Sequence, residues 1–457
     1  MLLLRANSPV RTYLGPTGTS LLEWCLSAYD RLLPHAELER WTEIDASSTS
    51  SVWTSSKRTK IRVTIDLSRR PGAPPRSLQT TLRRRNVPKA ASRKRRALDN
   101  REHDICHRIA HRTSAMMLGL EDDVHMTALR SARTGFDEQV IAEYIAHHHQ
   151  LDLDVADTLE AAHRLAEQTY ENKALTMGVL LDPMWTVDGS EATFPEGLFD
   201  SKKYKALSDG YRTAYHVSRN GHVLDFLDLE RFAPQPLSAQ HFYPEWTRFL
   251  ARASRQGRCG IALSRQGDLV VLDEGTMRLT YRYGRWQYWN HAHILDLMKN
   301  RTRAQHVPPA TIGKVIASVY RAALDVSFRR SGGLFVVLHN RKDLQNIVRR
   351  GDELGNHDRT GADENFDNLL RKHTIYALPR SVIVELASLD GATVVDNSGH
   401  IRAYGAVLRP RKQGSLHGTE GSRTKAAIGA SNYGLAVKVS ADGDITIYHD
   451  GDEFLRV

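Results

Sequence analysis

Apolar and polar positions fall into two rhythms along this chain. From Phe136 to Gln150 and from Val155 to Leu175 apolar residues return every three or four positions, which predicts two helices. Gly178 to Leu181, Thr213 to Val217 and Gly221 to Leu224 are short strand-like runs. From Gly260 to Trp289 alternating runs are separated by turn signals at Gly267-Asp268, Glu274-Gly275 and Tyr283-Gly284-Arg285. Residues 136–300 therefore read as an α+β domain. A polar connector, Arg301 to Pro309, separates it from a second rhythm. There Ile312, Val315, Ile316, Val319, Ala323 and Val326 form a helical stripe, and Gly332-Gly333 breaks it. Leu334-Phe335-Val336-Val337-Leu338 comes after it as a continuous apolar run, the pattern of a strand buried on both faces. A helix from Val382 to Leu389 comes next, then strands at Thr393 to Val395, His400 to Tyr404, Leu435 to Val439 and Asp444 to Tyr448. Asp442-Gly443 joins the last two as a hairpin turn. Residues 311–457 are expected to be an α/β domain with a mixed β-sheet flanked by helices.

Ahead of Phe136 the rhythm is weaker. Leu21 to Leu33 is one short amphipathic stretch. The segment from Ser47 to Arg96 is Ser-rich at Ser47 to Ser51, Pro-rich at Pro71 to Pro75, and basic at Arg83-Arg84-Arg85 and Arg93-Lys94-Arg95-Arg96. Such composition buries too little apolar area to offset chain entropy, so residues 1–135 are expected to be a largely disordered basic region. The chain of 457 residues has 63 Lys/Arg and 53 Asp/Glu; residues 51–100 alone hold 15 of the former and 2 of the latter, leaving 48 against 51 elsewhere. The net charge of +10 thus belongs to one segment. Its clustered cations could bind nucleic acid by releasing counterions from phosphate, or simply be solvated. Only Trp53 is at hand there to stack a base.

Hydrophobic content of 41% and charged content of 25% are globular values. No run reaches the roughly 18–20 apolar residues of a membrane helix, and Arg5 interrupts Met1 to Leu4 before any signal-peptide core develops. Three scattered cysteines, Cys25, Cys106 and Cys259, suit a reducing compartment, so a cytoplasmic protein is expected.

Two places call for chemistry. At Leu389-Asp390-Gly391-Ala392 a helix gives way to a strand, with a carboxylate at the tip and a glycine able to take an unusual φ or admit a ligand to the backbone. Alone, Asp-Gly is a turn. At Gly421-Ser422-Arg423-Thr424-Lys425-Ala426-Ala427 a helix N-terminus would offer unpaired N–H groups beside two hydroxyls and two cations, which is the make-up of a phosphate cradle. The plainer reading is a capped surface helix.

In this order the two segments resemble the diadenylate cyclase (DAC) domain family. Asp390-Gly391-Ala392 resembles its DGA motif, Gly405-Ala406-Val407-Leu408 matches the strand and loop that come after it, and Gly421 to Gly429 is similar to its G-T-R-H-R-A-A-x-G signature. The resemblance covers about residues 311–457. It implies condensation of two ATP molecules into cyclic di-AMP, with two domains meeting face to face in a homo-oligomer. By position it implies Asp390 as metal ligand and proton acceptor and, with Arg423, as catalytic residue, Gly391 and Leu408 at the adenine, and Ala392, Gly405 and Gly421 elsewhere in the ATP site. Ser422, Arg423, Thr424 and Lys425 would then hold the phosphates. Mg²⁺ or Mn²⁺ is the implied metal, with Asp442 as a second ligand. Arg423-Thr424-Lys425 departs from the family's Arg-His-Arg, losing a ring donor and a bidentate fork. The alternative is therefore a degenerate domain that binds ATP or cyclic di-AMP without catalysis. Phe194 to Phe199 and Tyr211 to Tyr215 look like sensor-type domains that precede the cyclase in some relatives, implying a regulatory role for residues 136–300.

Other candidates favour structural readings. His103, Cys106, His107 and His111 have metal-like spacing without a second cluster to complete a site. His147-His148-His149 suits a helix C-terminus, and Trp286, Tyr288 and Trp289 alternate as a half-buried strand would.

Overall fold

The computed structural model describes residues 19–39, 41–45, 52–54, 60–68, 76–85, 98–119, 135–188, 194–199, 205–302, 307–355, 362–409 and 421–457. They form two compact units, one of residues up to 241 with 246–290, the other of 242–245 with 291–457.

In the first unit, residues 19–26 and Ala28–Leu32 are helical, as the amphipathic stretch predicts. Next in the chain are strands β1 (Ala36–Leu38), β2 (Thr42–Asp45), β3 (Val52–Thr54), β4 (Lys60–Ser68) and β5 (Arg76–Arg84). They make an antiparallel sheet in which β5 pairs with β1, β2 and β4, and β4 with β3. Within residues 1–135, positions 1–18, 40, 46–51, 55–59, 69–75, 86–97 and 120–134 lie outside the described residues. The sheet forms on the period-2 alternation within β4: Ile61, Val63, Ile65 and Leu67 are all buried, with Arg62 exposed and Thr64 half-buried between them. Helix α1 (Asn100–Gly119) packs on β4 and buries Ile105, Cys106, Ile109 and Met117. Cys106 is thus a core residue, its thiol pushed up by burial, and no zinc-type group forms with its neighbouring histidines.

The basic segment is also less available than its charge count suggests. Arg84 is buried in an ion pair with Glu102, while Arg83 pairs with Glu37 at 3.3 Å and Arg85 with Asp30 at 3.4 Å. Burial, reinforced by Asp99, pushes the Glu102 carboxyl up to about 7, with the Arg84 guanidinium drawing it back. Ser47 to Ser51, Pro71 to Pro75 and Arg93 to Arg96 lie outside the described residues.

The same core extends without a break past residue 135. Helices α2 (Phe136–His148) and α3 (Val155–Ala166) precede a short hairpin, β6 (Thr169–Tyr170) and β7 (Lys173–Ala174). The second predicted helix ends at Ala166, and beyond it Glu171 and Asn172, both at positive φ, form the turn of the β6–β7 hairpin. Strands β8 (Met177–Asp182), β9 (Thr213–Ser218), β10 (Val223–Asp228), β11 (Cys259–Leu263), β12 (Leu269–Asp273), β13 (Thr276–Arg282) and β14 (Arg285–Tyr288) form a seven-stranded sheet in the order β10-β9-β8-β11-β12-β13-β14. Only β8 and β9 pair in parallel. One hydrophobic cluster holds Leu22, Ile65, Ile109, Val140, Val179, Ile261 and Trp286, so the elements on either side of residue 135 share one core.

The second unit begins with α4 (His291–Arg301) and α5 (Pro309–Arg329), the latter with Pro in its first turn and Arg330 left-handed at its C-cap. Its sheet has the order β17-β16-β15-β18-β19-β20, with β15 (Gly333–Leu338), β16 (Ala392–Val395), β17 (Ile401–Ala406), β18 (Gly434–Val439), β19 (Ile445–His449) and β20 (Asp452–Arg456). β15 and β16 are parallel and all other pairs antiparallel, as expected of a mixed sheet. Leu334, Val336 and Leu338 face α8 (Ser422–Ala430), burying Ala427 and Ile428. Helices α5 and α7 (Arg380–Ser388) lie on β15's other side with Phe335 and Val337; α6 (Ala362–Lys372) precedes α7. Arg380 ties this layer down, binding both carboxylate oxygens of buried Asp325 and donating to Tyr243 O at 2.6 Å.

Candidate active site

The carboxylate at the DGA turn is positioned by backbone packing. Helix α7 stops at Ser388, Leu389 is extended, and Asp390 lies exposed at the tip before β16 begins. Gly391 has φ +110°, and a Cβ there would fall 2.6 Å from the carbonyl oxygen of Gly405 and 2.8 Å from Ala406 N. The close approach this glycine permits is thus to β17. The β16–β17 ladder pairs Ala392 with Ala406 but Val394 with Ala403, so the irregularity that carries Gly405 sits opposite the DGA turn. Leu408, two residues past Ala406, comes to the same end of the sheet, half-buried against the cluster of Leu334 and Val336.

The basic helix arrives there from the other direction. A Cβ on Gly332, just before β15, would meet Arg423 Nη1 at 2.5 Å and Ala441 N at 3.6 Å. Arg423 therefore lies across the start of β15, beside the β18–β19 turn that carries Asp442. Ser331 Oγ and Ser388 Oγ are 3.1 Å apart, linking the start of β15 to the end of α7 two residues before Asp390. Helix α8 starts at Ser422 with Gly421 as N-cap; it has no side-chain cap and no acidic residue in its first turn. Among the described residues no side chain occupies its leading N–H groups and positive dipole end, and Ser422 and Lys425 are exposed beside them.

One residue here was not read from the sequence. Lys438, on β18, donates from Nζ to Thr424 Oγ1 at 3.0 Å. Its only signal is a cation inside the apolar run Gly434-Leu435-Ala436-Val437-Lys438-Val439. It adds a further cation beside the position where a His is expected.

Asp390, Gly391, Ala392, Gly405, Leu408, Gly421, Ser422, Arg423, Thr424, Lys425 and Asp442 thus gather at one end of a single sheet. Among the described residues, neither Asp390 nor Asp442 belongs to a group of three or more protein ligands.

The family model of DAC, described as DisA bacterial checkpoint controller nucleotide-binding, matches residues 321–453. This segment is a DAC domain. The matched span runs from within α5 into β20 and takes in every residue of the cluster. Solved structures similar to the chain include a hypothetical membrane spanning protein from Bacillus cereus (21% identity, 36% of this chain and 74% of that one, TM-score 0.23). Another is a double mutant of DacA from Staphylococcus aureus (24% identity, 31% and 85% coverage, TM-score 0.21). No curated protein matches the chain. Among the described residues no helix is long and apolar enough to cross a membrane.

Proposed function

We propose that the DAC domain binds ATP at this end of the sheet and that two copies, face to face, condense two ATP into cyclic di-AMP with release of two pyrophosphates. The observation that carries this is the placement of Asp390, Arg423 and the start of α8 at one end of the same sheet, inside the matched span. Phosphoryl transfer requires positioning and charge neutralisation more than covalent help from the protein. Ser422, Arg423, Lys425 and Lys438, with the N–H groups of α8, hold the phosphates; Gly391, Ala392, Gly405 and Leu408 border the adenine. The ribose 3′-oxygen of one nucleotide bonds to the α-phosphorus of the other as the bond to the β-phosphate oxygen breaks, and pyrophosphate leaves. The hydroxyl proton passes to Asp390, whose exposed carboxylate can return it to water. Asp390 and Asp442 would be the residues to hold Mg²⁺ or Mn²⁺, which would supply charge neutralisation at the phosphates. The first unit regulates the reaction.

A second reading, binding without turnover, is favoured by Thr424 and Lys425, which supply neither an imidazole nor a second guanidinium. Incubation of the full chain with labelled ATP and Mg²⁺ or Mn²⁺, beside Asp390→Asn, separates the two. Cyclic di-AMP from the wild type alone establishes the cyclase. ATP retained without product establishes the binding reading, and no ATP binding at all removes both.

A further inference from the structure

A different group of ligating side chains lies at the opposite end of the same sheet. Asp390 precedes β16, whereas His339 comes after β15, and these two strands run parallel. His339 meets His449, the last residue of β19, and Asp450 in the adjoining turn. Their ligand atoms all lie within 4.8 Å of one another. The two imidazole rings are 5.5 Å apart and steeply inclined, and His449 Nδ1 is 3.1 Å from Asp450 Oδ2.

We propose that His339, His449 and Asp450 form a binding site for a zinc-type divalent transition metal. The donor set, two imidazole nitrogens and one carboxylate oxygen, is softer than the all-oxygen environment Mg²⁺ selects and matches the ligands of Zn²⁺. With metal–ligand bonds of about 2.0–2.1 Å, neighbouring donors around a tetrahedral ion sit about 3.4 Å apart. The observed separations, 3.1 Å for His449 Nδ1 and Asp450 Oδ2 and none above 4.8 Å, lie close to that spacing.

The backbone holds all three residues in place. The His339 N–H donates to Tyr433 O at 3.0 Å, and Asn397 Nδ2 donates to His339 O at 2.7 Å. The Asp450 N–H donates to Ser431 O at 3.0 Å, and the Gly451 N–H donates to Ser431 Oγ at 2.9 Å. Donors fixed on strand ends lose little freedom when they ligate. His449 is buried and Asp450 half-exposed, so the ion has an entry side, and three protein ligands leave a fourth position for water. Bound there, the ion clamps the end of β15 to the β19–β20 turn across β18.

The other group of this type, His148, His149 and Asp273 in the first unit, is not equivalent. Its carboxylate already faces the guanidinium groups of Arg101 and Arg278, whose positive charges oppose a cation.

The test uses the full chain stripped of metal by a chelator and without nucleotide. Zn²⁺ stoichiometry is measured by elemental analysis after dialysis, and Co²⁺ is followed by its visible absorption as a geometric probe. One equivalent of Zn²⁺ is expected, with affinity falling at least about 100-fold in His339→Gln and His449→Gln and unchanged in His148→Gln. If burial makes His449→Gln misfold, the half-exposed Asp450→Asn decides, since it is expected to keep the melting temperature of the metal-free protein yet weaken Zn²⁺ at least about tenfold. No stoichiometric Zn²⁺, or Zn²⁺ retained by His339→Gln and Asp450→Asn but lost in His148→Gln, overturns the proposal.

Discussion

Lys438 shows how a single side chain can alter a site without altering its outline. It replaces nothing in the helix; it reaches over from β18 and binds Thr424, 14 residues earlier in the chain. If it also meets a phosphate, Lys438→Met lowers ATP affinity about tenfold or more, the loss of one charge-assisted contact, while the melting temperature stays within a few degrees. Isothermal titration beside thermal denaturation checks both. Glu102 offers a second prediction at this scale. An unfolded glutamate titrates at about 4.3, and in the fold Glu102 is raised to about 7. Between these values the folded protein keeps a proton that the unfolded chain has released. Stability from this group is therefore full below about pH 4 and declines as pH rises to about 7, by on the order of 3 kcal/mol. Glu102→Gln flattens that decline in urea denaturation across pH. Arg84→Met removes the guanidinium that draws the value down, so it extends the decline above pH 7 and costs about 3–5 kcal/mol at pH 8.

Among elements, the turn between α7 and β16 sets the position of the candidate catalytic carboxylate. Gly391→Ala places a methyl group against the Gly405 backbone at a φ that L-residues avoid. It should cost about 2–4 kcal/mol and abolish ATP binding even where the domain still folds, as calorimetry and nucleotide titration would show. Much of this region was legible in the sequence. The apolar run of β15, the Gly-Gly break before it, the DGA turn and the basic start of α8 all carry local signals. What was missed had a non-local or diluted signal. Within β4, Ile61, Val63, Ile65 and Leu67 form a core face that the polar composition around them conceals. β20, Asp-Glu-Phe-Leu-Arg, is short and polar and is defined by its pairing with β19. His339, His449 and Lys438 gain meaning only from strand order, which brings together residues far apart in the chain.

For the molecule as a whole, the two units pose different questions. The second holds the DAC domain and the candidate nucleotide site; the first holds the large mixed sheet and the buried Arg84–Glu102 pair. Because the proposed reaction joins nucleotides carried by two copies, cyclic di-AMP formed per mole of protein should rise with protein concentration before levelling off. A dilution series reads this directly, and a flat profile down to the lowest concentration would contradict a face-to-face pair. Removal of the first unit should change the rate at saturation without changing the product, if it regulates the reaction. The contact between Gly391 and Gly405 has a further consequence, for how such a chain can change over generations. Most crowded pairs can drift, because a larger residue on one side is relieved by a smaller one on the other. Here neither partner has a side chain to trim, so a suppressor screen starting from a substituted Gly391 should return revertants at that codon and no rescuing change at Gly405.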